Sequence, residues 1–201
     1  MGVTVENILK AKARLIDRVH RTPIITSEAI NNIAGCSVLF KCEHLQKTGS
    51  FKARGAMNAV LLIKEENESK GVITHSSGNH GQALAYAAKS VGLPCCVVVP
   101  SNAPSSKRDA ISHYGGVIEL CEPTMKSRKE TCAQLASELR YGVVEPFDDI
   151  NVINGQGTIG AEIIEQVPDV DAVFIAVGGG GMASGVSLFI KEIQPNIRGQ
   201  L

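Results

Sequence analysis

Along most of the chain, short apolar segments alternate with longer segments of helical character. The apolar segments carry little charge, and they read "GVIT", "CCVVVP", "VIEL", "VVEP" and "DAVFIAV". Strands that are apolar along their whole length are typical of a parallel sheet, because helices cover both of its faces. The alternation therefore predicts an α/β fold in which parallel sheets are flanked by helices.

The alternation falls into two parts, which predicts two domains. Three regular strand–helix units would form a small domain over residues 67–148, inserted between 1–66 and 149–201. The flanking segments would join as a larger domain, with a first helix from Val5 to His20, a strand in "GCSVLFKCE" and a later helix over "GTIGAEIIEQV". Parallel sheets bind ligands at the carboxyl ends of their strands, so the loops that follow the strands are the candidate site.

One of these loops is a run of four glycines, Gly178 to Gly181, between an apolar strand and a helix. The run exposes consecutive backbone N–H groups at the positive end of the helix, where such donors bind phosphate. A tight turn needs only one or two glycines. Gly178, Gly180 and Ala183 also fit the dinucleotide pattern G-x-G-x-x-A, but no acidic residue follows at the expected distance. The run therefore predicts a phosphate site, and a nicotinamide-dependent enzyme is the weaker alternative.

A second loop, "HSSGNHG" at 75–81, places four polar side chains at the predicted start of a helix. They are Ser76, Ser77, Asn79 and His80. A helix cap needs only one such residue. The loop lacks the G-x-S-x-G elbow, which argues against a hydrolase triad. Hydroxyls, an amide and free backbone N–H groups instead suit the binding of a substrate carboxylate.

Lys52 follows a Thr-Gly-Ser turn and is the candidate nucleophile. A lysine nucleophile has to be neutral, and burial is one way to lower its pKa from the usual value of about 10.4. Phe51 and the small residues of "KARGA" supply an apolar setting for the amine. An exposed helix lysine is the ordinary alternative. The phosphate loop and the carboxylate loop in the same chain favour Schiff-base chemistry.

Four motifs together resemble a known family. "KTGSFKARGA", "HSSGNHGQALAYAAK", "INGQGTIGAEI" and "VGGGGMASG", in this order, resemble the fold-type II pyridoxal-phosphate enzymes, in particular the serine racemase and serine/threonine dehydratase family. The resemblance implies a two-domain fold like that of the tryptophan synthase β subunit. Dehydratases of this group usually have alanine where this chain has Ser77. The resemblance therefore favours racemisation of L-serine to D-serine with accompanying elimination to pyruvate and ammonia, and a serine/threonine dehydratase is the alternative.

The resemblance also implies a role for each motif. Lys52 would bond the aldehyde of pyridoxal phosphate and move the substrate proton on one face, and Ser77 would do so on the other. The residues that would bind the cofactor are Lys52, Phe51, Asn79, Gly178, Gly179, Gly180, Gly181 and Met182. The residues that would bind the substrate are Ser76, Ser77, Asn79, His80 and Arg128.

Animal members of the family bind ATP and a divalent cation as activators. By position, the nucleotide would contact Lys47, Thr48, Gln82, Lys107 and Tyr114. The cation would be Mg²⁺ or Mn²⁺, and its ligands would lie beyond residue 201, so no metal ligand is assigned within this chain. The resemblance further implies a homodimer.

In the family, the large domain continues past the position of Leu201. We therefore expect the large domain to be truncated here and its sheet to leave an open apolar edge. Two alternatives follow: an active enzyme, or a catalytically incomplete chain that binds a full-length subunit. Aspartate and threonine stay open as substrates beside serine.

Composition limits the partners. A formal net charge of +0 and only 4% aromatic residues argue against a nucleic-acid partner. The N-terminus does not resemble a signal peptide, and no apolar run reaches the length of a membrane span. The six cysteines form no C-x-x-C pair, which favours reduced thiols in a cytoplasmic protein over a zinc site. Composition therefore favours a small partner over a polymer, and the resemblance implies an amino-acid substrate.

Overall fold

The computed structural model describes residues 2–200. The helices are α1 (Val5–Arg14), α2 (Glu28–Ala34), α3 (Lys52–Glu66), α4 (Asn79–Val91), α5 (Ser105–His113), α6 (Met125–Leu139), α7 (Ile150–Gln166) and α8 (Gly181–Ile193). The strands are β1 (Ile24–Thr26), β2 (Leu39–Lys41), β3 (Gly71–Thr74), β4 (Cys95–Pro100), β5 (Val117–Cys121), β6 (Tyr141–Val143), β7 (Ala172–Phe174) and β8 (Arg198–Gln200). Within this range, every helix is too short or too polar to cross a bilayer.

A four-stranded parallel sheet in the order β5-β4-β3-β6 forms the centre of the fold. Val72 and Val97 point to one face, where they pack with residues of α3 and α4. Ile73 and Val98 alternate to the other face and pack against α6 through Cys132. Both faces are therefore covered, which is why the central strands are apolar along their length. The predicted parallel α/β fold is confirmed, whereas the boundaries at 67–148 stay a prediction.

Two strand pairs lie outside the central sheet. β1 and β2 form an antiparallel pair, and β7 and β8 form a parallel one. Neither β1 nor β8 was predicted, because three residues are too few to show an alternating pattern. Phe174, the last residue of β7, and Val177 are 80% and 54% exposed, so the apolar surface expected on this sheet is present.

Three predicted element boundaries were wrong. α1 ends at Arg14 and not at His20, since the chain turns there and Asp17 has a positive φ of 60°. β6 covers "YGV" and not "VVEP", because its register is set by pairing with β3. α7 begins at Ile150, seven residues before "GTIGAEIIEQV", since the Asp149 side chain accepts the N–H groups of Asn151 and Val152 as an N-cap.

Close contacts between glycines fix the helix that carries Lys52. A Cβ on Gly155 of α7 would lie 2.6 Å from the Cα of Gly55 in α3. A Cβ on Gly185 of α8 would lie 2.5 Å from the carbonyl oxygen of Ile153 in α7. The three helices therefore approach backbone to backbone, and α7 holds both of its neighbours in one position.

A buried group of four charges ties the start of α3 to the rest of the molecule. Arg54 has no exposed surface and bonds Glu162 of α7 at 2.6 Å and Glu43 at 2.7 Å. Lys41 of β2 bonds the second oxygen of Glu162 at 2.5 Å. Burial acts to lower the pKa of Arg54, but the hydrogen bonds to Glu43 and Glu162 outweigh it and raise the pKa. Arg54 therefore stays charged two residues from Lys52.

Candidate active site

A cavity of about 500 Å³ opens at the carboxyl ends of β3 and β6. It is lined by Lys52, His75, Ser76, Asn79, His80, Met125, Arg128, Lys129, Glu145, Pro146, Phe147 and Asp148. A second cavity, of about 300 Å³, lies beside Lys12, Arg21 and Arg54, but carboxylates already pair with all three cations. Of the residues expected from the sequence, the larger cavity brings together Lys52, Ser76, Asn79, His80 and Arg128, so it is the candidate site. Phe51, Ser77 and residues 178–182 are not among its lining residues.

Lys52 is the first residue of α3 and reaches into this cavity. The chain bends before it, because Thr48 and Gly49 have positive φ values of 59° and 71°. The Lys52 amine donates a hydrogen bond to the carbonyl oxygen of Pro146 and lies 5.1 Å from the centre of the Phe51 ring. Burial lowers the pKa of the amine. The structure thus gives Lys52 the apolar setting that a neutral nucleophile needs.

The loop from His75 to Gly81 folds tightly onto the start of α4. A Cβ on Gly81 would lie 2.0 Å from the carbonyl oxygen of Ser76, so only glycine fits there. Ser76 and Asn79 line the cavity, and Ser77 lies between them in the chain, half-buried. No side chain caps α4 at Gly78, which leaves the N–H groups of the first turn free to bind an anion.

His80 is 2% exposed, and its Nε2 lies 3.0 Å from the carbonyl oxygen of Val144. Burial lowers the pKa of His80 to about 4, so the ring is neutral near pH 7. A carbonyl only accepts hydrogen bonds, so Nε2 carries the proton and Nδ1, which is buried without a partner, is an acceptor. A neutral acceptor does not bind a carboxylate. The expected contact of His80 with a substrate carboxylate therefore applies to its backbone N–H.

The four glycines form the turn between β7 and α8. Gly180 has a φ of 88° and starts α8 without any side-chain cap, so the N–H groups of Gly181, Met182 and Ala183 are free. A Cβ on Gly178 or Gly180 would meet nothing within 4 Å. The turn offers open space lined by backbone donors, which is what a phosphate requires.

Phe147 contacts the glycine turn, and the residue before it contacts Lys52. A Cβ on Gly179 would lie 2.3 Å from the Phe147 ring, and one on Gly181 would lie 2.5 Å from the Phe147 carbonyl oxygen. The preceding residue, Pro146, accepts the hydrogen bond of Lys52. Phe51 and Met182 also pack against one apolar cluster, around Ile159. The glycine turn and the Lys52 amine therefore both contact the segment formed by Pro146 and Phe147, although the glycines do not line the cavity itself.

Arg128 and a histidine–glutamate pair form another wall of the cavity. Arg128, in the first turn of α6, donates from one terminal nitrogen to the carbonyl oxygen of His75 at 2.5 Å. The Nε2 of His75 lies 2.9 Å from Oε2 of Glu145. Sequence analysis did not select His75, Glu145 or Phe147. The only available signal was position, since all three follow the ends of neighbouring strands.

The residues considered for a nucleotide lie outside this cavity. Lys47 and Thr48 lie in a 3₁₀ turn before α3 that packs against α4, which carries Gln82. Lys107 lies in α5, and Tyr114 follows it with its ring 5.8 Å from the ring of Tyr86. Among residues 2–200, no three metal-binding side chains cluster in a way that would hold an ion. All six cysteines are free; Cys36 is exposed and the other five are buried.

Comparisons with known proteins show similarity along nearly the whole chain. A family model described as "Pyridoxal-phosphate dependent enzyme" matches residues 15–199. Serine racemase of Dictyostelium discoideum is 48% identical over 196 residues, which are 98% of this chain and 60% of that protein. The β-hydroxyaspartate dehydratase of Paracoccus denitrificans is 47% identical over 195 residues, 97% of this chain and 62% of that protein.

A solved structure is also similar over nearly the whole chain. The crystal structure of a pyridoxal 5'-phosphate-dependent aspartate racemase superposes with a TM-score of 0.94 at 48% identity. The match covers 98% of this chain and 61% of that one. The chain therefore spans about 60% of the length of the curated relatives it matches.

Proposed function

Because the chain belongs to the pyridoxal-phosphate dependent enzymes, we propose that it converts L-serine to D-serine and, in part, eliminates water from serine to give pyruvate and ammonia. The observation that carries the proposal is the half-buried Lys52 amine, which shares one cavity with the loop at 75–81. The identity of 48% to a serine racemase supports serine as the substrate.

The residues of the site fit the cofactor. The free N–H groups at Gly181 to Ala183 suit its phosphate, and the open space at Gly178 and Gly180 leaves room for it. Pro146, which accepts the hydrogen bond of the Lys52 amine, precedes Phe147, which lies against Gly179 and Gly181. When bound, pyridoxal phosphate supplies an aldehyde that bonds amines and a ring that delocalises the charge left at Cα.

The protein's own groups then bind the substrate and move its proton. Asn79, Ser76 and the free N–H groups at the start of α4 are suited to the substrate carboxylate. Lys52, whose pKa is lowered by burial, takes or returns the Cα proton on one side. We assign the other side to the Ser77 hydroxyl, which an alanine would lack. We assign to Arg128, which lines the cavity, the closure over the substrate.

Loss of the lysine amine tests the proposal directly. Purified protein mixed with pyridoxal phosphate should show the visible absorbance band of the lysine-bound cofactor, and it should produce D-serine and pyruvate from L-serine. Lys52→Ala should lose the band and the turnover. Lys64→Ala, at the far end of the same helix, should keep both. A band that survives in Lys52→Ala would show that another amine holds the cofactor.

The Ser77 hydroxyl separates the two reactions. Ser77→Ala should lower racemisation at least about 100-fold while elimination falls less than about tenfold, because only racemisation needs a proton donor on the second side. D-serine and pyruvate measured in the same reaction give this ratio. Ser76→Ala is the matched control and should lower both rates together. Equal losses in Ser77→Ala would place the second base elsewhere.

One other function has specific support. The β-hydroxyaspartate dehydratase at 47% identity favours a dehydratase, which would give pyruvate or another 2-oxo acid and no D-amino acid. A chain that acts as the binding partner of a full-length subunit would instead bind cofactor weakly and show no turnover alone.

The remaining expectations form part of the same proposal. By resemblance, ATP would contact Lys47, Thr48, Gln82, Lys107 and Tyr114 in a homodimer, and Mg²⁺ or Mn²⁺ would act as an activator. Calorimetry with ATP–magnesium tests the nucleotide site: heat on mixing with the purified protein is expected, and its absence would contradict ATP binding. The six free cysteines support a cytoplasmic location.

A further inference from the structure

His75 and Glu145 lie side by side at the edge of the central sheet. Ile73 of β3 pairs with Val143 of β6, so the residues two positions later on each strand are neighbours on the same face. The backbone N–H of Val144 continues this pairing with a 2.9 Å bond to the carbonyl oxygen of Ile73. The register of the two strands therefore places the imidazole beside the carboxylate.

The histidine fixes the carboxylate in the wall of the cavity. His75 Nε2 lies 2.9 Å from Glu145 Oε2, and because a carboxylate only accepts, the nitrogen donates. The His75 side chain is 6% exposed, whereas that of Glu145 is 38% exposed. The bond occupies Oε2, and Oε1 has no hydrogen-bond partner among the described residues.

The backbone beneath the pair is held in turn by α6. Arg128 donates to the carbonyl oxygen of His75, so the first turn of α6 is fixed to the residue that holds Glu145. The charged groups on the cavity walls are Lys52, Arg128 and Lys129 on the positive side and Glu145 and Asp148 on the negative side. Of the two acids, Glu145 has the histidine partner that fixes its direction.

We infer that Glu145 is a specificity-determining residue that selects amino acids with a hydroxyl on Cβ over those with a carboxylate there, and that His75 is its positioning residue. A carboxylate oxygen accepts a hydrogen bond from a hydroxyl, whereas it repels a second carboxylate across a partly desolvated cavity. The inference rests on the proposed function, since it needs an amino acid bound in this cavity. Glu145 would thus disfavour dicarboxylic amino acids, whereas the other contacts of the site would be made by any amino acid.

The Glu145→Gln variant tests this selection, because it keeps the shape and removes the charge. In the unmodified protein, kcat/KM for L-serine should exceed that for L-aspartate. In Glu145→Gln this ratio should fall at least about tenfold, through a gain with aspartate. His75→Asn, which frees the carboxylate to rotate, should shift the ratio in the same direction by a smaller factor. Asp148→Asn removes the same charge from the same cavity without a histidine partner, and it should change the ratio less than about threefold.

Binding without reaction provides an independent measurement. Succinate carries two carboxylates and no amine, so its dissociation constant, measured by calorimetry on the cofactor-loaded protein, reports the repulsion alone. Glu145→Gln should bind succinate about tenfold more tightly than the unmodified protein.

The outcomes separate this inference from the proposed function. A visible cofactor band with serine turnover, together with an unchanged ratio and unchanged succinate binding in Glu145→Gln, would overturn the role of Glu145 alone. Preference for aspartate in the unmodified protein would also overturn it, and would assign the Cβ substituent to Arg128. Absence of both the band and turnover in the unmodified protein would overturn the proposed function and this inference together.

Discussion

His80 shows how burial sets the chemistry of a single residue. The ring is enclosed between the start of α4 and Val144, and it has a fixed donor to the carbonyl oxygen on one side. Its Nδ1 has no partner. Charging this ring would place a second proton on a buried nitrogen with nothing to accept it, which is why burial lowers its pKa to about 4. The cavity thus keeps an uncharged base beside a lysine.

Stability should therefore fall in mild acid. The unfolded chain binds a proton at His80 near pH 6.5 and the folded chain only near pH 4, so stability is lost as the pH falls from 6.5 towards 4. Between pH 7 and pH 4.5 this residue should account for a loss of about 2 kcal/mol in the free energy of unfolding. Urea titrations of the unmodified protein and of His80→Gln at both pH values isolate the effect. An equal loss in the two proteins would contradict it.

Sequence analysis selected residues that lie in a local motif, and it missed residues that the sheet brings to the cavity. Lys52 and Phe51 occur in one recognisable run and the glycines in another, and in the structure Pro146 contacts Lys52 while Phe147 contacts the glycines. Glu145 has no such run. Its position depends on which strand lies next to β3, and the predicted strand was displaced by two residues from the observed β6.

At the scale of elements, α7 is the helix against which both α3 and α8 pack at close range. Its glycines at 155 and 157 accept α3 on one side and α8 on the other without intervening side chains. Asp149 caps the start of α7, and Glu162, near its end, accepts a hydrogen bond from Arg54. Lys52 and the glycine turn are carried by the two helices that α7 holds, so α7 sets the distance between them.

A methyl group at this contact should be costly. In Gly155→Ala the new Cβ would lie 2.6 Å from Gly55 Cα and 2.8 Å from the Arg54 carbonyl oxygen, and backbone atoms cannot rotate away. We expect overpacking of about 3 kcal/mol, offset by about 1 kcal/mol of helix propensity, for a net loss of about 2 kcal/mol in the free energy of unfolding. Urea unfolding without cofactor measures it.

Gly178→Ala is the matched control for this substitution. The added Cβ would meet nothing within 4 Å, and φ is not in the left-handed region. Its free energy of unfolding should change by less than about 0.5 kcal/mol. If Gly155→Ala is as stable as this control, the two helices have room to separate.

Element types were predictable where a segment was long or regular. α4 and α6 each follow an apolar strand and end in a left-handed residue, Gly92 and Arg140. The short strands β1 and β8 gave no pattern, because pairing with a partner distant in the chain is what makes them strands. The early start of α7 depended on one capping side chain.

For the whole molecule, the apolar strands alone predicted a parallel sheet covered on both faces. The site could not be predicted in this way, because it is formed by contacts between segments distant in the chain. Residues at 52, 75–80, 125–129 and 145–148 meet in one cavity, although more than 90 residues separate its ends. Their meeting follows from the strand order β5-β4-β3-β6, in which the last strand returns beside the first. Sequence periodicity carries no information on that order, which was not predicted; the expectation that these motifs share one site came from the family resemblance.

The glycine contact between α3 and α7 also limits how the cavity can open. A Cβ on Gly155 would lie only 2.6 Å from the Cα of Gly55, so sliding one helix along the other would bring bulkier residues into this contact, which disfavours a shear motion there. Opening is then left to hinge rotation in the connecting segments. One of these, 144–149, carries the carbonyl oxygen that accepts the hydrogen bond of Lys52, the Phe147 ring against the glycine turn, and Glu145. Admission of a substrate and the alignment of the reacting groups would thus be a single mechanical event.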